Sequence, residues 1–72
     1  MKLYLTKTEE IVLYKKYIEK GLNSVEANDN IKKIKDHLKK LVVELERSYK
    51  TDVEINKRFT DEFHKICMEL EN

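Results

Sequence analysis

Two residues of this chain could do chemistry together. His64 and Cys67 lie three positions apart, a spacing that puts an imidazole and a thiol on one face of a helix. A zinc site needs about four such ligands, and no convincing third and fourth are present. A Cys–His nucleophile needs an oxyanion site and an orienting group, and neither is suggested. Cys67 therefore reads as a small hydrophobe beside Ile66 and Phe63, and His64 as a rim residue. No metal and no cofactor are expected. His37, next to Leu38 and flanked by Asp36 and lysines, reads as an edge residue. Glu44, Glu46, Asp61, Glu62, Glu69 and Glu71 form no convincing catalytic pair, although Asp61 and Glu62 suit a helix N-terminus. With no Gly-rich phosphate loop either, the chain is not expected to be an enzyme.

The lysines and tyrosines carry more binding potential. Lys32, Lys35 and Lys39 form one helical strip, with Lys33 and Lys40 alongside. Such a strip can contact phosphate backbone or an acidic protein. It can equally be the solvated face opposite a Leu/Ile seam. Arginine, the preferred reader of base edges, occurs only at Arg47 and Arg58. Tyrosine joins a large apolar body to a polar tip and is favoured at interfaces. Tyr14 and Tyr17 on one helix mark a contact surface, with Val12 and Leu13 beside them, or else half-buried core.

The elements that must position these groups follow from composition. The chain has 72 residues, no proline, no tryptophan, one glycine and one cysteine, and 40% of it is charged. So few breakers among so many Lys, Glu, Leu and Ile read as nearly all helix. One domain, residues 1–72, is expected. A domain this small buries only ~60% of its unfolded surface, and Cys67 has no second thiol for an internal disulfide. Self-association is a natural way to complete such a core. Residues 1–40 hold ten lysines against six acids, whereas residues 41–72 hold five bases against eight acids. No run of 18 apolar residues is present, and the N-terminus lacks the pattern of a signal peptide. A cytoplasmic location, with no membrane partner, is expected.

Along the chain, Thr6 and Glu9 have capping-box spacing, so the first helix starts there or at Thr8. Ile11, Tyr14 and Ile18 recur at helical spacing, leaving Val12 and Leu13 off the main stripe. Gly21 suits the C-terminal cap. Residues 23–30 read as a polar connection with room for one turn capped by Ser24. Asn28, Asp29 or Asn30 would then cap the second helix. Ile31, Ile34, Leu38, Leu41 and Leu45 form its seam, widened by Val42 and Tyr49. A break near residues 48–52 is followed by Thr51 or Asp52 as a cap and by the stripe Ile55, Phe59, Phe63, Ile66, Leu70. Thr60, followed by Asp61 and Glu62, offers a second start. Lys2-Leu3-Tyr4-Leu5 alternates like a strand and reads as an extended lead-in packing on the bundle.

Leu5-Thr6-x-x-Glu9 followed by Gly21-Leu22-x-Ser24-x-Glu26-Ala27 resembles the start of LuxR-type helix-turn-helix domains. It is also similar to the N-terminal helix-turn-helix of phage terminase small subunits. That resemblance covers residues 5–27 and implies a short second helix and groove docking on DNA. Tyr17-Ile18-x-Lys20-Gly21-Leu22 before a long helix looks like the hairpin of small aspartyl-phosphate phosphatases. Their motif Ser-Gln-Glu-Leu-Asp would fall near residues 30–35, where this chain reads Asn30-Ile31-Lys32-Lys33-Ile34-Lys35. The acid is missing, so that activity is not carried over.

The sequence thus predicts an all-α, small antiparallel bundle of three helices, or four if the last segment divides, completed by self-association into a homodimer. The expected function is a non-enzymatic protein–protein interaction module, an inhibitor, adaptor or accessory regulator. Its expected contact residues are Val12, Leu13, Tyr14 and Tyr17. The alternative is a small DNA-binding transcriptional regulator of helix-turn-helix type, with Lys32, Lys35 and Lys39 contacting nucleic acid or an acidic partner.

Overall fold

A computed structural model describes residues 3–71. It is an all-α bundle of three helices: α1 (Lys7–Glu19), α2 (Ser24–Arg47) and α3 (Asp52–Glu71). α1 opens on the capping box expected from its sequence. The Thr6 hydroxyl accepts from the Glu9 amide at 3.2 Å, and the Glu9 carboxylate accepts from the Thr6 amide at 2.9 Å. It closes on a Schellman turn, in which the Leu22 amide donates to the Tyr17 carbonyl and the Gly21 amide to that of Ile18. Gly21 sits at φ +94°, a conformation that a Cβ would strain.

Residues 24–47 form one helix, so the connection expected over 23–30 is limited to the turn ending at Asn23. The N-cap is Asn23, not a residue of 28–30. Its side-chain oxygen accepts from the Glu26 amide at 2.9 Å, and its amide group donates to the Glu26 carboxylate at 2.6 Å. Once nucleated there, the helix passes through Asn28-Asp29-Asn30 for under about 1 kcal/mol per residue. Burial of Ala27 and Ile31 on the same stretch offsets that cost.

α3 is also one helix. Thr51 caps it, accepting from the Glu54 amide at 3.3 Å. Thr60 is an exposed position within it, because the stripe Ile55, Phe59, Phe63, Ile66 runs unbroken through that point. Tyr49 does not widen the α2 seam. It is 97% exposed and takes φ +57° in a second Schellman turn, where the Lys50 amide donates to the Leu45 carbonyl and the Tyr49 amide to that of Glu46.

The core is Leu13, Ile31, Ile34, Leu38, Val42, Ile55 and Phe59, with Leu41, Leu45, Phe63, Ile66 and Leu70 packed against it. Both predicted stripes of α2 and α3 are therefore inward. The stripe predicted for α1 is inward only in part: Tyr14, with Tyr17 beside it, packs against the core. Leu13 is fully buried, while Ile11 is 54% and Ile18 41% exposed. α1 carries apolar residues around most of its circumference, so periodicity alone does not choose its inner face.

Helix lengths explain the rest of the packing. α2, at ~36 Å, spans most of the 40 Å long axis, whereas α1 reaches only ~20 Å. The extended residues 3–5 continue the layer that α1 begins. Leu3 and Leu5 pack on the core and Tyr4 is 69% exposed, which is the expected alternation; Lys2 lies outside the described residues.

α1 and α3 run parallel to each other and antiparallel to α2. Their C-terminal ends are clamped by Lys16 Nζ to Glu71 Oε1 at 2.6 Å and by Lys20 Nζ to the Glu69 carbonyl at 3.4 Å. α3 has no basic residue in its own last turn, so α1 supplies the cations that favour its negative end.

Candidate functional site

Two of the grooves beside α2 receive the tyrosines of α1. Tyr14 and Tyr17, three residues apart on α1, fall one into each.

The first groove runs between α1 and the N-terminal half of α2. Ile11, Tyr14 and Ile31 form its apolar floor, and Lys7, Lys15 and Lys32 its rim, around a hollow of about 580 Å³. Lys35 lies at its edge, ion-paired across the two helices with Glu10. Lys7, Lys15 and Lys32 have no ion-pair partner among the described residues. The groove thus joins exposed apolar surface to uncompensated positive charge. Isolated exposed apolar side chains are common, but a floor of them rimmed by charge is the usual form of a contact surface.

The second groove lies between α2 and α3. Tyr17, Ile34, Ile66 and Leu70 form its apolar part, with Lys33, His37, Glu62 and Glu69 around them. His37 Nε2 and Glu62 Oε1 are 3.0 Å apart and bridge it. Its charges are mixed and partly internal to the fold. Burial raises the Tyr17 phenol above its ordinary value, with a smaller push from Cys67.

Each residue singled out by the sequence can now be placed. Tyr14, Lys32 and Lys35 come together in the α1/α2 groove. Lys39 lies farther along α2, in a separate hollow with Leu3, Leu5 and Val42. Val12 is 39% exposed, off both grooves. Leu13 is a correction: at 0% exposure it belongs to the core and cannot touch a partner of the folded chain. It joins the buried cluster with residues of α2 and α3, which an apolar count around the helix could not reveal.

Lys7, Lys15 and Ile11 were not among the residues expected to bind. Their signal was present in the sequence. On a helical projection Lys7 falls between Tyr14 and Ile11, and Lys15 falls just beyond Ile11.

His64 is exposed and its ring meets Phe63 edge-on, with centroids 6.5 Å apart. Cys67 is half-buried against the core. Burial, partly offset by the nearby Lys16 charge, pushes its thiol up from its ordinary value. That favours the protonated, unreactive form. Among the described residues no three His, Cys, Asp or Glu side chains cluster as metal ligands, and no helix is long and apolar enough to cross a membrane.

The architecture defines a class, the small three-helix bundle. Comparison of the chain with protein-family models, with characterised proteins and with solved structures found no match.

Proposed function

We propose that this chain is a non-enzymatic, cytoplasmic protein–protein interaction module that docks a protein partner on the α1/α2 groove. One observation carries the proposal: Ile11 (54% exposed), Tyr14 and Ile31 lie beneath three lysines that have no partner within the described fold. A docked protein would remove that apolar area from water, at about 25 cal/mol per Å², and would bring acids to the lysines.

The homodimer expected from the sequence does not suit this groove. A two-fold interface sets a patch against its own copy, so Lys7, Lys15 and Lys32 would face the same three lysines. The DNA-binding alternative has less support. The short second helix of a helix-turn-helix is replaced by the 24-residue α2, and Lys35 is engaged with Glu10.

A photo-cross-linking amino acid at position 11, in cells expressing the full chain, tests the proposal. Position 65, exposed on α3, serves as the control. A discrete adduct with another protein from position 11 and none from position 65 is expected. No adduct from 11, or equal labelling from both, would overturn it.

A further inference from the structure

We infer that the occupant of the α1/α2 groove is an acidic amphipathic helix of about two to three turns. The inference rests on the interaction-module proposal and names the chemistry of the partner.

The shape argues for a helix. α1 and α2 form an antiparallel pair joined by a short turn, and such a pair presents a furrow on each side. α3 already fills one of them, with Ile55, Phe59, Phe63, Ile66 and Leu70 as its ridge. The other furrow is floored by Ile11, Tyr14 and Ile31. A fourth helix laid there would complete a four-helix bundle by the packing that the chain itself uses.

The span sets the length. Lys7 to Lys15 on α1 and Asn28 to Lys35 on α2 each cover ~11–12 Å of helix axis. An occupant matching that span presents apolar residues at i, i+3 or i+4, and i+7.

The charge sets the flanks. Lys7 and Lys15 border the floor from α1 and Lys32 borders it from α2. None has an acidic partner among the described residues. Acids on both shoulders of the incoming apolar stripe would meet them.

The other occupants fit less well. A bilayer is flat and would bridge the furrow without reaching Ile31, which is 8% exposed. A nucleic acid backbone would leave Ile11 and Tyr14 against phosphate. The chain's own outer α3 face interleaves Lys57, Arg58 and Lys65 with its acids, so a second copy does not offer an acidic ridge.

The test uses the full chain and two synthetic 18-residue helical peptides with the same leucine stripe. One has glutamates and the other lysines on the flanks. Fluorescence anisotropy is measured at two salt concentrations. The glutamate peptide should bind about tenfold or more tightly than the lysine peptide, and less tightly as salt rises. The triple variant Lys7→Glu, Lys15→Glu, Lys32→Glu should reverse that preference. All three side chains are solvent-facing, and unchanged helicity would show that the variant folds. Equal affinity for both peptides, or a preference that the triple variant leaves in place, would overturn the inference. So would saturable binding to phosphatidylserine vesicles or duplex DNA with neither peptide bound. If position 11 still cross-links a protein while the glutamate peptide fails to bind, the interaction-module proposal stands and only the acidic helix falls. If position 11 captures nothing, the proposal itself fails.

Discussion

The two grooves beside α2 share one helix and differ in how their charges are used. In the α2/α3 groove His37 and Glu62 are 3.0 Å apart, and Lys33 stands in a hollow that also contains Glu69. In the α1/α2 groove Lys35 pairs with Glu10 across the helices, and around the apolar floor stand three lysines that have no ion-pair partner among the described residues. A fold optimised only for its own stability has no use for the second arrangement. Like charges along a groove repel, and exposed isoleucine adds nothing to the core. The difference supports the proposal that the α2/α3 groove serves folding and that the α1/α2 groove serves a partner outside the chain.

Substitutions can break or sharpen this contrast. The largest effect is expected at the core residue that α1 contributes. Leu13→Glu would bury an unpaired charge where Leu13 is fully enclosed, costing on the order of 4 kcal/mol or more. A bundle this small should unfold, seen as loss of the helical circular dichroism signal. A folded Leu13→Glu protein would show that α1 packs by a different face.

Next is a matched pair. Ile66→Asp strikes the α2/α3 groove, where Ile66 packs on the core, and should cost about 2 kcal/mol. Ile11→Asp strikes the exposed floor of the other groove and should stay within about 0.5 kcal/mol. Urea melts compare the two, and equal costs would erase the distinction between the grooves.

A smaller change separates stability from binding. Tyr49 holds φ +57° while 97% exposed. Tyr49→Gly should therefore raise stability by about 1 kcal/mol and leave groove binding untouched. Loss of stability would contradict the left-handed turn.

The smallest effect concerns pH. The hydrogen bond from Lys16 holds the Glu71 carboxyl below its ordinary 4.5, and Glu71 in turn holds the Lys16 ammonium above its ordinary 10.5. Glu71, depressed in the fold, contributes fully above the unfolded carboxyl value and loses its contribution as pH falls through the folded value. Lys16, raised in the fold, contributes fully below 10.5 and loses its contribution as pH rises through the folded value. The clamp between α1 and α3 should thus loosen at both extremes. The protection factors of amides near residue 70 should fall as pH drops below the ordinary carboxyl value, and Glu71→Gln should remove that acid dependence. An unchanged acid profile in Glu71→Gln would refute the clamp's role. Both groups are solvent-accessible, so the effect is expected to be slight.

Much of this architecture could be read from residue types. The α2 and α3 stripes were legible because their apolar residues keep a 3–4 period against charged backgrounds. The Thr6–Glu9 box and Gly21 were legible because caps demand particular chemistry. The α2 start was not. Asn28, Asp29 and Asn30 all cap well in isolation, and only the burial of Ala27 and Ile31 against the rest of the bundle holds them inside a helix. The inner face of α1 was hidden for a related reason. Ile11, Val12, Leu13, Tyr14, Tyr17 and Ile18 point almost everywhere, so tertiary packing selects Leu13. That error propagated to the site, where a core leucine stood in for Ile11. The lysine strip was visible, but its division was not. Lys35 pairs within the fold, Lys39 faces another hollow, and Lys32 joins lysines of α1 that only the packing brings near.

Amide chemical-shift mapping of the full chain titrated with the glutamate-flanked peptide tests most directly whether the α1/α2 groove takes up an acidic amphipathic helix. The amides of Ile11, Tyr14, Ile31 and Lys32 should shift with one saturating curve, while those of His37, Glu62 and Ile66 stay fixed. Shifts centred on the α2/α3 groove, or no shifts at any peptide concentration, would contradict it.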